Sequence, residues 1–254
     1  MKTKNKRRLA GTLAVLLIVL VLLVFDGING DPFSQRWAMH RAIQFAENLY
    51  PDQTFTTVGA GATRGYRYLY EVQSQQSKDT RFYVETRFWF FTDDSDINGH
   101  TPYVEARLNT AWRMEKEAGD ALAPVLVQAL PECDIPYDET QQCVTVYLPY
   151  EADKDVTELG MEYRQWLPLD APFEKNILQN VPAKLAITIQ TTAQPQQAEL
   201  QPALQKVKAA CEANGYHFAA YDVTLIQRDI PYETALDQCV QSGDVAAEEI
   251  GEIS

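Results

Sequence analysis

Residues 184–227, KLAITIQTTAQPQQAELQPALQKVKAACEANGYHFAAYDVTLIQ, decide the fold of the C-terminal half of this chain. Apolar residues alternate with other residues at its start, which predicts a half-buried strand over 184–190. Residues 198–213 carry an apolar stripe on one helical face, formed by Leu200, Leu204, Val207 and Cys211. Asn214-Gly215 is a typical helix stop, and residues 216–227 then predict a second strand. This strand, helix, strand order predicts a two-layer α+β domain that resembles a split βαβ fold.

The flanking sequence extends this C-terminal domain to residues 120–242. Residues 143–148 predict one more strand, and residues 162–167 another. We expect a small domain of helices on an antiparallel sheet. The last segment, 243–254, is an acidic tail that we expect to fray.

An N-terminal α+β domain is predicted over residues 31–119. A helix to about residue 50 has a small apolar face, and three strands rich in aromatic residues follow it. Thr101-Pro102 predicts the start of a second helix, and Gly119-Asp120 its end. The aromatic residues of these strands suit either a sheet core or a binding groove. Half-buried strands commonly carry aromatic residues, which favours the core. The residues concerned are Tyr66, Tyr68, Phe82, Phe88, Trp89, Phe90 and Phe91.

The first 25 residues, MKTKNKRRLAGTLAVLLIVLVLLVF, predict a membrane anchor. Residues 1–8 form a basic cytoplasmic stub, and residues 9–25 form an uncharged apolar segment that spans roughly 25 Å as a helix. Basic residues on its N-terminal side alone place the N-terminus in the cytoplasm and the rest of the chain outside the cell membrane. A cleaved signal peptide has the same order of segments, but the bulky residues before Asp26 favour a retained single-pass anchor.

The charge balance excludes one class of partner. The chain holds 22 Lys plus Arg and 35 Asp plus Glu, and five of the basic residues precede the apolar segment. The part outside the membrane is therefore strongly acidic and repels nucleic acid. Such a surface either keeps an exported domain soluble or attracts cations and basic partners.

Four cysteines leave two interpretations open. No CxxC motif is present, so the sequence does not predict a zinc site. Outside the cytoplasm an even number of cysteines permits disulfides. We expect either local pairs, Cys133 with Cys143 and Cys211 with Cys239, or four buried thiols.

The sharpest short motif is DSDINGHTPYVE, residues 94–105. It fits the twelve-residue calcium loop of EF-hand proteins, in which oxygen ligands at alternating positions of a tight turn converge on one cation. The predicted ligands are Asp94, Asp96, Asn98, the His100 carbonyl and Glu105. The same letters suit a turn followed by a helix start, and the preceding segment predicts a strand rather than a helix. Calcium binding and a plain turn both stay open.

No catalytic motif stands out elsewhere in the sequence. The three histidines, His40, His100 and His217, fall on a predicted helix, loop and strand, and neither HExxH nor GxSxG occurs. With 35 acidic residues a carboxylate pair somewhere is inevitable, so glycosidase chemistry is not indicated by the acids alone. The sequence predicts no catalytic residue and no cofactor other than a calcium ion.

Several phrases together resemble the YfjL-like proteins, a family of small membrane-anchored bacterial proteins. They are GDPFSQRWAMHRAIQFAENLYP, SKDTRFYVE, YVEARLNTAWRMEKE, DIPYDE and VKAACEANGYHF, within residues 29–230. The resemblance implies two α+β domains outside the membrane. It implies no activity, so no catalytic residue is carried over.

The sequence therefore predicts a non-catalytic binding, sensing or interaction module outside the cell membrane. Its expected partners are the lipid bilayer, through residues 9–25, and a protein of the cell envelope, but not nucleic acid. Two alternatives stay open: an envelope hydrolase with a carboxylate pair, and a calcium-stabilised structural module.

Overall fold

The computed structural model describes most of the chain, in two compact units. The described residues are 11–21, 24, 32–62, 67–87, 98–99, 101–131, 133, 135, 137–138, 141–228, 234 and 237–251. The units are Met1–Thr101 and Pro102–Ser254, and both mix helices with sheet. The predicted α+β class is thus confirmed.

The predicted anchor, residues 9–25, is described only in part. Residues 11–21 are helical, and large apolar side chains along them are exposed, such as Leu13, Leu16 and Ile18. Among the described residues, no helix is both long enough and apolar enough to cross a membrane. The predicted cytoplasmic stub, residues 1–8, lies outside the described residues.

The first unit is one helix packed on an antiparallel sheet. Its elements are α1 (Pro32–Leu49), β1 (Phe55–Ala62), β2 (Arg67–Ser74), β3 (Arg81–Arg87) and β4 (Asn98–Gly99). The strands lie in the order β1-β2-β3-β4, and each neighbouring pair is antiparallel. Helix α1 contacts β1, β2 and β3.

Small residues let α1 lie close to the aromatic face of this sheet. Ala38, Ala42 and Ala46 recur at every fourth position and are buried, as are Phe55 and Phe82. The other buried apolar strand residues of this face are Tyr68, Tyr70, Val72 and Val84. Of the predicted strand aromatics, Tyr68 and Phe82 therefore form core, whereas Tyr66, Phe88, Trp89, Phe90 and Phe91 lie outside the part whose side chains are described.

The second unit is larger and has a mixed sheet. Its helices are α2 (Pro102–Glu105), α3 (Leu108–Ala129), α4 (Val156–Tyr163) and α5 (Leu200–Ala213). Its strands are β5 (Tyr137–Asp138), β6 (Gln141–Gln142), β7 (Val144–Tyr147), β8 (Lys184–Thr191), β9 (Ala220–Gln227), β10 (Val240–Gln241) and β11 (Val245–Ala246). The main sheet has the order β10-β9-β8-β7, and β11 also pairs with β9.

Strands β8 and β9 are parallel, which corrects the prediction of an antiparallel sheet in this domain. Helix α5 returns the chain to the edge at which β8 began, so β9 runs in the same direction as β8. Helices α3 and α5 contact each other, α3 packs on β7, and α5 packs on β9. Their buried faces form one core with the sheet, which includes Leu122, Leu126, Leu185, Leu204, Val207 and Val223.

Helix α3 continues past the predicted stop at Gly119-Asp120 to Ala129. A Cβ on Gly119 would lie 3.1 Å from the carbonyl oxygen of Val144, so this glycine lets the helix approach β7 rather than ending the helix. The two compact units divide before Pro102, whereas the sequence predicts the boundary within this helix, between residues 119 and 120.

Residues 162–166 are helical, which corrects the prediction of a strand over residues 162–167. Asp155 caps α4, because its Oδ1 accepts hydrogen bonds from the backbone N–H groups of Thr157 and Glu158 at 2.8 and 3.4 Å. A 3₁₀ turn, Arg164–Trp166, follows α4 directly.

The acidic tail is part of the fold as far as residue 251, which corrects the prediction that it frays. Strand β11 pairs with β9, and Ile250 is buried in the core. The Lys208 Nζ donates to the Ala247 carbonyl oxygen at 2.9 Å. Residues 252–254 lie outside the described part.

Substitution of Gly160 tests how closely α4 packs against Ala106. An added Cβ would lie 2.3 Å from the Ala106 carbonyl oxygen, so Gly160→Ala must move backbone. Alanine ordinarily stabilises a helix relative to glycine, yet we expect this change to lower the free energy of unfolding by about 2 kcal/mol. Urea unfolding followed by circular dichroism measures the effect. Met161→Ala, at an exposed neighbour on the same helix, is the control, and equal or greater stability of Gly160→Ala would contradict the packing.

Candidate functional site

An open groove of about 690 Å³ lies in the second unit, at the carboxyl ends of the two parallel strands. Residues from the end of β8, the end of β9, the first turns of α5 and the last turn of α3 line it. Ligands of open α/β sheets commonly bind at the carboxyl edge of parallel strands, because the chain leaves the sheet there and opens a crevice. A groove of this volume accommodates a small molecule.

Backbone and hydroxyl hydrogen bonds hold the two strand ends together at the groove. The Arg228 N–H donates to the Thr191 carbonyl oxygen at 2.8 Å, one step beyond the end of β9. The single proton of the Thr191 hydroxyl is shared between the carbonyl oxygens of Ala193 and Ile226, which lie 2.7 and 3.1 Å from Oγ1. The loop that leaves β8 is therefore fixed to β9, and the groove has a defined edge.

The floor of the groove is apolar. Ile135, Ile189 and Leu225 line it and are almost fully buried in the core. On α5, the small side chain of Ala203 leaves the space open, and Val127 of α3 lines the groove with 40% of its side chain exposed. The apolar surface within reach of a ligand therefore comes chiefly from Val127 and Ala203.

The polar lining of the groove is more basic than the unit around it. Residues 102–254 contain ten Lys or Arg and twenty-five Asp or Glu. Lys206 and Arg228 line the groove, and among the described residues of its lining only Glu199 carries a carboxylate. The Glu199 Oε2 accepts a hydrogen bond from the Gln196 backbone N–H at 2.8 Å, as part of a capping box at the start of the helix. The described lining thus combines two basic side chains with one carboxylate that is engaged by the backbone.

A second, smaller cavity of about 310 Å³ lies beside the 3₁₀ turn that follows α4. Trp166 lines it with 43% of its surface exposed, together with the side chains of Gln165 and Asn176. This cavity offers an aromatic surface and amide groups, and none of its lining residues is Lys or Arg.

Glu115 is the described carboxyl group whose pKa is raised most. Its Oε1 accepts a hydrogen bond from the Leu148 N–H at 2.7 Å, at the end of β7. Burial raises the pKa of Glu115 to about 7, although the Leu148 hydrogen bond acts in the opposite direction. Glu115 lines neither of the two cavities. It therefore fixes α3 to the sheet rather than presenting an acid to a ligand.

The predicted calcium loop is described only at two of its ligands. Asp94, Asp96 and His100 lie outside the described residues. Asn98 is in β4 opposite Glu85, and Glu105 is exposed in α2. No group of three or more His, Cys, Asp or Glu that fits a metal ion occurs in the described part of the chain. Calcium binding by the loop stays a prediction.

The four cysteines differ in burial, so the expectation of four buried thiols does not hold as a set, and the pairing of the cysteines stays a prediction. Cys211 is buried in the core, and burial raises the pKa of its thiol. Cys133 lines the groove and is partly buried, as are Cys143 and Cys239 elsewhere in the unit.

Sequence reasoning did not find Lys206 or Arg228. Both follow from the strand, helix, strand order once β8 and β9 are known to be parallel. Arg228 is the first residue after β9. Lys206 follows Ala203 by three residues and Pro202 by four, so all three lie on the same face of α5, and all three line the groove. The sequence signal is therefore one basic residue directly after the second parallel strand and another on the face of the crossover helix that lines the groove.

The raised pKa of Glu115 predicts a dependence of stability on pH. The pKa of Glu115 in the folded state lies above its ordinary value of 4.5, so folding favours the protonated carboxyl group. The stabilising effect of Glu115 is therefore complete below about pH 4.5 and is lost as the pH rises through 7. Glu115→Gln keeps an acceptor for the Leu148 N–H but does not titrate. We expect it to reduce the loss of stability between pH 5 and pH 8 by at least about 1 kcal/mol. Urea unfolding at both values measures this, with Glu105→Gln as an exposed control; equal losses in wild type and Glu115→Gln would exclude the effect.

Comparisons with known proteins give a family for the N-terminal part. No curated protein matches the chain. Among solved structures, a crystal structure of a DUF5037 family protein from Ruminococcus gnavus is similar, with 11% identity over 83% of this chain and 84% of that chain. Its TM-score is 0.27, too low to carry weight for fold or function. The model of the family described as YfjL-like, N-terminal domain, matches residues 5–94, within the first compact unit. Residues 5–94 are thus similar to the YfjL-like N-terminal domain, which confirms the predicted family resemblance over this stretch.

Proposed function

We propose that this protein is a membrane-anchored, extracytoplasmic binding module that holds a small ligand in the groove at the carboxyl ends of β8 and β9 and catalyses no reaction. The groove itself carries the proposal, since it joins a volume of about 690 Å³ to an apolar floor and a few polar groups at its edge. That combination is typical of ligand sites.

The polar lining of the groove supports binding over hydrolysis. A glycosidase mechanism needs two carboxyl groups that face each other across the substrate. Among the described residues that line the groove, one carries a carboxyl group, Glu199, and its Oε2 accepts a hydrogen bond from the Gln196 N–H. Glu115, which has the raised pKa, binds the Leu148 backbone instead.

Two observations support the location. Residues 9–25 contain no charged residue and follow a basic stub, the order that places a chain across a membrane with its N-terminus in the cytoplasm. In residues 11–21, large apolar side chains are exposed around the helix, an arrangement that suits lipid better than water. The bilayer is then the first partner of the protein.

A photo-crosslinking experiment tests the binding site. The full chain in phosphatidylcholine nanodiscs is irradiated with 4-benzoylbenzoate, and mass spectrometry locates the modified peptides. We expect saturable modification of peptides from the groove, the ends of β8 and β9 and the start of α5. Ala203→Trp fills the groove and should abolish this modification. Ala209→Trp, at an exposed position of the same helix outside the groove, should leave the modification unchanged.

Two results would contradict the binding proposal. The first is the absence of saturable modification in the groove peptides. The second is equal modification of the Ala203→Trp and Ala209→Trp variants, since a ligand in the groove must compete with the new indole for space.

A protease experiment tests the location. With an epitope tag at each terminus, protease added to intact spheroplasts should remove the C-terminal tag and leave the N-terminal tag intact, because the anchor places only residues 1–8 in the cytoplasm. Detergent lysis exposes both tags and is the control. Protection of the C-terminal tag in intact spheroplasts would refute the extracytoplasmic location.

A further inference from the structure

The second cavity, beside the 3₁₀ turn that follows α4, combines an aromatic ring with several amide groups. We infer that it binds a neutral saccharide of one or two rings, with the C–H face of one ring against the Trp166 indole and its hydroxyl groups at the surrounding amides. This site is separate from the groove at β8 and β9, because no described residue lines both cavities. Its volume of about 310 Å³ is at the lower end of the range for small-molecule sites.

The Trp166 indole offers an uncovered aromatic surface. Trp166 lines the cavity with 43% of its surface exposed, although the next residue, Leu167, is buried. Trp112 is exposed to a similar degree, but the Tyr103 ring lies 5.6 Å from its own ring. Among the described residues, no other ring and no cation lies against the Trp166 indole.

A sugar ring complements such a surface. The face of an indole is electron-rich, and a sugar ring presents a face of C–H groups that packs on it. Burial of this apolar contact stabilises the complex by roughly 25 cal/mol for each Å² removed from water. Four further apolar residues extend the lining around the indole, namely Pro168, Ala171, Pro172 and Ile177.

The polar lining of the cavity matches hydroxyl groups. Gln165, Asn176 and Asn180 carry side-chain amides, which donate and accept hydrogen bonds as sugar hydroxyls do. The Asn176 Nδ2 donates to the Glu174 Oε2 at 3.2 Å, and the Asn180 Nδ2 donates to the Asn176 carbonyl oxygen at 3.4 Å. Each bond uses one N–H of its amide, and among the described residues no other hydrogen bond involves these two side-chain amides. The second N–H and the oxygen of each amide therefore remain for a ligand.

The charges around the cavity favour a neutral ligand over an anion. The described lining contains no Lys or Arg, and Glu174 adds a negative charge. Lys175 is adjacent in sequence, but its Nζ donates to the Asn214 carbonyl oxygen at 3.1 Å and lies 4.3 Å from the centre of the Tyr216 ring. Residues 102–254 contain ten Lys or Arg and twenty-five Asp or Glu, so an anion would meet a negative field here.

Hydrogen bonds from α3 fix the loop that forms part of the cavity. The Arg113 Nη2 donates to the Ala171 carbonyl oxygen at 2.8 Å, and the Phe173 N–H donates to the Glu117 Oε2 at 2.8 Å. On either side of this loop, the lining residues belong to or adjoin two 3₁₀ turns, Arg164–Trp166 and Lys175–Gln179. A ligand thus meets a backbone that is already ordered, which lowers the entropic cost of binding.

Fluorine NMR of tryptophan tests the site directly. The full chain in phosphatidylcholine nanodiscs is labelled with 5-fluorotryptophan, and Trp166→Phe and Trp112→Phe assign the two signals. Cellobiose, maltose, mannobiose and N,N′-diacetylchitobiose are then titrated. We expect at least one of them to shift the Trp166 signal saturably and to leave the signal of Trp112, an exposed tryptophan outside the cavity, unchanged. Sorbitol has the hydroxyl groups but no ring, and it should shift neither signal.

Substitutions assign the binding to the indole and to an amide. Calorimetric titration with the disaccharide that shifts the Trp166 signal should show binding at least about tenfold weaker for Trp166→Ala, and a smaller loss for Trp166→Phe, which keeps a ring. Gln165→Ala should weaken binding about threefold through the loss of one hydrogen-bonding group. Gln179→Ala, at an exposed glutamine outside the described lining, should have no effect. Thermal unfolding checks that each variant keeps the fold.

Three outcomes would overturn the saccharide site. The first is a Trp166 signal that none of the four disaccharides shifts. The second is a shift of this signal by hexaproline or choline but by no disaccharide, which would assign the cavity to a peptide or a quaternary ammonium. The third is wild-type affinity of Trp166→Ala for the disaccharide. None of these outcomes affects the groove at β8 and β9, whose ligand is tested separately by photo-crosslinking.

Discussion

The parallel pairing of β8 with β9 is the constraint on which the second unit depends. Eight residue pairs, from Lys184 with Ala220 to Thr191 with Gln227, bring both carboxyl ends to one edge of the sheet. Parallel neighbours need a crossover, and α5 provides it with a buried stripe that seals the core. The groove follows from this geometry, because the chain leaves both strands at the same edge and α5 begins beside them. An antiparallel β9 would end at the opposite edge and place Arg228 far from Thr191.

Charged side chains of α3 fix loops of the second unit to the helix. Arg113 of α3 donates to the Ala171 carbonyl oxygen at 2.8 Å, and Glu117 accepts from the Phe173 N–H at 2.8 Å. These two residues of α3 thus serve structure. In the groove, the described lining holds two basic residues, Lys206 and Arg228, and the carboxylate of Glu199, which the Gln196 N–H binds.

The spacing of apolar residues along the sequence predicted some of these elements and missed others. The alternation at Leu185, Ile187 and Ile189 predicted β8 almost to the residue, and the stripe of α5 predicted its helix. The parallel register, the passage of α3 through Gly119 and the burial of Ile250 depend on contacts between residues distant in sequence, such as Gly119 with the Val144 carbonyl. Residues 162–167 were assigned to a strand because the cap at Asp155 was not recognised. The groove could not be predicted, since it requires β8 and β9 to be direct neighbours, which the apolar periodicity of each segment does not encode.

The most direct test of the account observes the groove itself. Methyl NMR of the full chain in nanodiscs, with labelled isoleucine, reports on Ile135 and Ile189, which line the groove, and on Ile187, which is buried in β8 outside it. Titration with 3-phenylpropionate should shift the Ile135 and Ile189 signals saturably and leave the Ile187 signal unchanged. Ile135 and Ile189 signals that stay unchanged, or that shift no more than the Ile187 signal, would contradict the claim that this edge of the sheet binds a small ligand.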